Sequence, residues 1–171
     1  MRYWALGILT VLVVVLETTA IPYISIGGIG PDIVGSLVTL VSMLSGREMG
    51  LFVALVGGVL EDVSSGQFLG LFVLVRGVVA CLAGMAYQKV FQEWVLVPVI
   101  LVFGAAVAGG ILQVFLLASF GVPFESYRMA LSTVVFQAVY SALLSPIVMR
   151  IISTLDAFVS SVLERRRSLQ P

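Results

Sequence analysis

Apolar residues run through the chain in long blocks broken by short polar stretches, and the blocks fall at roughly 3–25, 32–45, 49–64, 69–88, 94–118 and 128–149. None shows the strict alternation of a barrel strand. Backbone groups in hydrocarbon must be paired internally, so six helices are predicted. Blocks one, four, five and six approach or exceed the ~20 residues that cross a bilayer. Blocks two and three rise only roughly 20–24 Å. They are read as short tilted spans or as a re-entrant hairpin. The expected fold is an all-α polytopic membrane protein, a six-transmembrane-helix bundle.

The last twenty residues change character. Ile151, Ile152, Leu155, Phe158, Val159, Val162 and Leu163 recur at helical spacing, with Ser153, Asp156, Ser160 and Glu164 between them. This predicts an amphipathic helix on the cytoplasmic surface, starting at Arg150 and ending in Arg165, Arg166 and Arg167. The domain reading is a membrane domain over 1–150 and a basic tail over 151–171. Met1-Arg2 and the apolar run behind it are read as an uncleaved first span, since no small-residue cleavage site follows.

Composition agrees: 60% of the 171 residues are hydrophobic and 11% charged, with a mean hydropathy of +1.17. Acidic and basic residues balance at nine each, which points to no nucleic acid. Histidine is absent and Cys81 is the single cysteine. Disulfide frameworks, Cys/His metal sites and histidine acid–base pairs drop out, and no catalytic, cofactor or metal residues are assigned. Arg2, Arg47, Lys89, Arg150 and the three terminal arginines, seven of the nine basic residues, fall on one side of the predicted bundle. The positive-inside rule then predicts both termini in the cytoplasm of a multi-pass inner-membrane protein. Tyr3, Trp4, Tyr23, Tyr87, Trp94, Phe120 and Tyr127 sit near the interfaces, where anchoring is the simplest role.

Block three carries most information. Gly50, Ala54, Gly58, Asp62 and Gly66 recur every fourth residue and lie near one face, where small residues admit a neighbouring helix. Block five repeats the device with Gly104/Ala108, Ala105/Gly109 and Ala106/Gly110. Packing within the chain and an interface with another membrane protein both fit. Two charges lie deep, Glu17 and Arg76. A buried charge costs roughly 2.5–3.5 kcal/mol on insertion scales, so Arg76 is expected to pair with Glu17, Asp62 or both. A polar pocket open to the outside is the alternative. Glu61 lies about 100° around the helix from Asp62, too divergent to serve with it as an acid–base pair.

The stretch Gly57-Gly58-Val59-Leu60-Glu61-Asp62-Val63, with Gly66 and Leu69-Gly70-Leu71, resembles the signature of MreD, the rod-shape-determining membrane protein family. Pro31-Asp32-Ile33-Val34 is similar to that family's start of helix two. The resemblance implies a non-enzymatic scaffold of cell elongation and lateral peptidoglycan synthesis, bound to MreC and through it to MreB, RodA and a class B penicillin-binding protein. It also implies a fold similar to the substrate-binding component of energy-coupling-factor vitamin transporters.

Two functions are therefore carried. The first is the scaffold, with Pro31, Asp32, Asp62, Gly66, Gly70 and Arg76 at the partner contact. The second is a transport component that captures a vitamin-like solute, against which stands the position of Trp4 and Trp94 near the cytoplasmic face. On the packed-face reading, Asp62→Ala weakens assembly with a partner more than Glu61→Ala does. Cross-linking from single cysteines on blocks three and five measures the difference.

Overall fold

The computed structural model describes residues 2–25, 28–66, 68–86, 96–122 and 127–167. Among them are six helices: α1 (Arg2–Ile24), α2 (Ile33–Ser45), α3 (Arg47–Ser65), α4 (Leu71–Ala86), α5 (Leu96–Ser119) and α6 (Tyr127–Arg167). Tyr87, Lys89 and Trp94 lie outside the described residues. The α1–α2, α3–α4 and α5–α6 connections share one end, here the upper end.

Contacts between helices close a ring, α1–α3–α4–α5–α6 and back to α1, and α2 touches all five of its members. So α2 is the axis of the bundle. Every residue from Val34 to Met43 is buried. A 13-residue helix is only ~20 Å long, too short to cross lipid unaided. Here it meets protein on all sides, so its ends are satisfied by neighbours. Block two is therefore enclosed by protein along its length. α3 follows it after Gly46 alone, whose φ of 91° turns the chain.

Polar groups inside this core are satisfied locally. The hydroxyls of Ser36, Thr39 and Ser42 donate to the carbonyls of Asp32, Gly35 and Val38, 2.7–2.8 Å away. α2 can therefore carry three hydroxyls among apolar neighbours without stranding a donor.

Length and apolarity qualify three helices as spans, with windows Tyr3–Ala20, Leu96–Ser119 and Arg128–Leu155. α4, expected to span on its own, has 16 residues and is a shorter apolar helix packed between α3 and α5. α6 does not stop at Arg150. It runs unbroken for 41 residues, through Pro146, to Arg167. Proline has no N–H for the carbonyl four residues back, and the Ser145 hydroxyl donates to that carbonyl, of Ala142, at 2.7 Å. Ile152 is 1% exposed and belongs to the core with Leu6 and Val148. The surface helix expected to begin at Arg150 is thus a continuation of the last span. The side chains of Arg165, Arg166 and Arg167 are outside the described ones.

The small-residue stripes serve packing inside the chain. A Cβ at Gly50 would collide with Ser42 of α2, and one at Gly58 would lie 2.6 Å from Val73 Cα of α4. Ala54 is fully buried. In α5, Gly109 faces Val79 and Gly110 faces Val134, whereas Gly104 meets open space. Overpacking a close contact costs typically 1–3 kcal/mol. Gly58→Val is accordingly expected to lower the unfolding temperature in detergent by several degrees, and Gly104→Ala to leave it within a degree or two.

Candidate functional site

The first N–H groups of a helix need acceptors, and α2 begins deep in the bundle. Asp32 stands at its N-cap and accepts the Gly35 N–H at 2.7 Å. Glu17, reaching across from α1, accepts the Val34 N–H at 2.8 Å. The positive end of the α2 dipole favours both carboxylates. The Asp32 N–H in turn donates to the Ser141 hydroxyl of α6 at 2.8 Å. These bonds fix the depth of α2: roughly seven residues of α1 and fourteen of α6 stand above it, ~10 and ~21 Å of helix. The start of α2 is sunk below the rim of the upper end.

Arg76 of α4 lies under this point, 7% exposed. Its guanidinium forks onto Glu61 of α3, with Nε to Oε2 at 3.0 Å and the second nitrogen to Oε1 at 2.8 Å. Its remaining nitrogen pairs with Asp32. The planar fork suits such a double engagement, and Phe72 covers the guanidinium carbon with its ring centroid 6.0 Å away. One carboxylate oxygen from each of Glu17, Asp32 and Glu61 lies within 4.8 Å of the other two. Such a trio has the reach to hold a metal ion, but Arg76 already brings a positive charge to it.

The pairing expected for Arg76 is corrected here. Its ion pairs among the described residues are to Asp32 and Glu61; Glu17 and Asp62 accept backbone N–H groups instead. Asp62, 2% exposed, takes the N–H groups of Gly70 and Phe72, each at 2.9 Å, and of Val73 at 3.4 Å. Its own carbonyl accepts from Gly66, whose φ of 62° ends α3 in the left-handed region that glycine adopts freely. Asp62 therefore caps α4 from the end of α3. The 100° between Glu61 and Asp62 sends the first carboxylate to a side chain and the second to a helix terminus.

Of the other residues singled out, buried Pro31 and half-buried Gly70 (φ 94°) lie at this upper end, beside Asp32 and Asp62. Gly50, Ala54 and Gly58 descend α3 away from it, and Arg150 is exposed lower on α6. Sequence reasoning missed Glu61 as a partner. Its signal was the single deep arginine beside two adjacent carboxylates that cannot face the same way. Ser141 carried no signal.

A second concavity lies on the outer surface between α1 and α3. It is a groove of ≈ 590 Å³ lined by Tyr3, Trp4, Gly7, Ile8, Phe52 and Val56. Trp4 is 80% exposed there, and Tyr3 meets Phe52 edge-on at 5.3 Å. Its walls are apolar and face lipid.

The six-helix bundle, its lipid-facing surface and its buried charge cluster define a multi-pass membrane protein built around a central short helix. Residues 2–156 match the family described as the ECF-type riboflavin transporter, S component, and the chain belongs to that family. No curated protein and no solved structure matches it.

Membership in this family overturns the resemblance to MreD, and with it the cell-elongation and peptidoglycan role and the partners MreC, MreB, RodA and the penicillin-binding protein. The physical reason lies in the motif itself. Gly58 is required by a close α3–α4 approach, Asp62 by the α4 terminus, Gly66 by the turn out of α3, and Asp32 by the α2 cap. Those are demands of the hairpin geometry, and any bundle of this shape meets them.

Removing one partner of a buried pair costs about 3–5 kcal/mol. Arg76→Ala and Glu61→Ala are both expected to lose monodisperse folded protein on size exclusion, and Arg76→Lys to recover little of it, lacking the fork. Asp62→Asn, which keeps one acceptor oxygen, is expected to unfold at a higher temperature than Asp62→Ala.

Proposed function

We propose that the chain is the solute-binding subunit of an energy-coupling-factor importer, taking up riboflavin or a closely related flavin at its upper end. The family match carries this reading, since it runs through α1–α5 and into α6. The upper end supports it: the start of α2 is sunk, the surrounding helices rise above it, and charged groups lie at its floor. Glu17, Asp32, Glu61 and Arg76 hold that floor rigid, with Asp62, Gly66 and Gly70 shaping the adjoining turn. The position of Trp4, once weighed against a transport role, carries no such weight, because its side chain lies in the lipid-facing groove.

In this reading the upper end faces outward and both termini face the cytoplasm, in line with the seven basic residues on the lower side. The membrane domain reaches Leu155, where the last candidate span ends, and the basic residues beyond it form a cytoplasmic extension. The partners are the ATPase and T component of the energy-coupling-factor module.

Purified protein titrated into riboflavin is expected to quench flavin fluorescence with one site per chain, and the absence of quenching overturns the reading. Orientation is checked separately. In a Cys81→Ser background, a cysteine at Gly121 is expected to react with an impermeant maleimide on intact cells, and one at Ser168 only after permeabilisation.

A further inference from the structure

Two phenylalanines at the upper end have no part in the charge cluster or the helix caps. Phe68 lies in the α3–α4 connection and Phe120 just beyond the end of α5. Their rings stack across these two connections with centroids 5.2 Å apart and planes 16° from parallel. Phe120 nevertheless remains 60% exposed, so the stack is open on one side.

We propose that this pair is the platform on which the planar ring system of the flavin stacks, with Phe120 the contacting ring and Phe68 the positioning residue behind it. The inference rests on the functional reading above and adds a residue-level account of how the ring is recognised. An offset-parallel pair presents a flat apolar face, the surface a fused aromatic tricycle covers best. The backbone on both sides is held. The Phe68 carbonyl accepts from Leu71, and the Phe120 N–H donates to Leu116 at 3.0 Å. Gly121 and Val122 bond back to Ala118 and Leu117. The glycines flanking the pair, Gly66, Gly70 and Gly121, have positive φ and nothing within 4 Å of the position a Cβ would take. Among the described residues, nothing beyond their chain neighbours comes within 4 Å of these glycine positions beside the rings.

The alternative role is apolar packing of one connection on the other, and leucine separates the two. It keeps apolar bulk but offers no aromatic face. Stacking on one side chain is worth roughly tenfold in affinity. Phe120→Leu is therefore expected to raise the Kd for riboflavin about tenfold, and by the same factor for lumichrome, which is the ring without its ribityl chain. Phe120→Tyr is expected to stay within about threefold of wild type, and Phe68→Leu to fall between them. A wild-type Kd for Phe120→Leu overturns the platform while leaving the transport reading intact. A wild-type protein that binds no flavin overturns both. Should Phe120→Leu not fold, Phe120→Trp carries the test. Deeper quenching of bound flavin than in wild type supports the platform, and unchanged quenching overturns it.

Discussion

A helix that starts inside a protein buried in lipid must have acceptors for its first N–H groups brought to it, since no water is there to provide them. The start of α2 is the place where this bundle meets that constraint. Asp32 caps it from within the chain's own turn and Glu17 from α1. Arg76 of α4 pairs with the Asp32 carboxylate at that point while forking onto Glu61 of α3. Ser141 ties α6 to the same spot. Capping one short helix thus draws in four others.

With its end satisfied, α2 can be short and central. Five helices then close around it, and two kinds of residue let them approach. Glycines at 50, 57 and 58 bring α3 against α2 and α4, and hydroxyls folded back onto their own helix leave α2 smooth to its neighbours. Because α2 begins low, the surrounding helices form a rim around it. The two ends of the bundle differ for that reason. One holds the buried charge cluster, and the other continues into the long C-terminal part of α6.

Six helices were legible from apolar runs, because segments in lipid must be apolar and continuous, although the last runs well past block six. What those runs could not convey is which apolar surface faces lipid and which faces protein. Leu37, Val38, Leu40 and Val41 are as apolar as the residues of a lipid-facing span, yet they are among the most buried side chains. The arginine was recognised as needing partners, but its pairing depends on the sideways direction of Glu61 and the depth of Asp32, which spacing along one chain does not encode. The continuation of α6 past Arg150 goes with Val148 and Ile152 packing into the core with Leu6, a contact that periodicity along one segment does not reveal. The family resemblance failed for a related reason: its glycines and aspartates meet backbone requirements that distinct membrane bundles share.

The Arg76 network also constrains how the chain enters the bilayer. Arg76, Glu17 and Glu61 belong to helices that emerge from the ribosome at different times, and α2 is too short to settle in lipid alone. Asp32 and Glu61 gain their shared cationic partner only when α4 arrives with Arg76. The N-terminal half thus carries charges that are paired only once α4 is in place, whereas α5, with no charged residue from Leu96 to Ser119, meets its surroundings with none to pair.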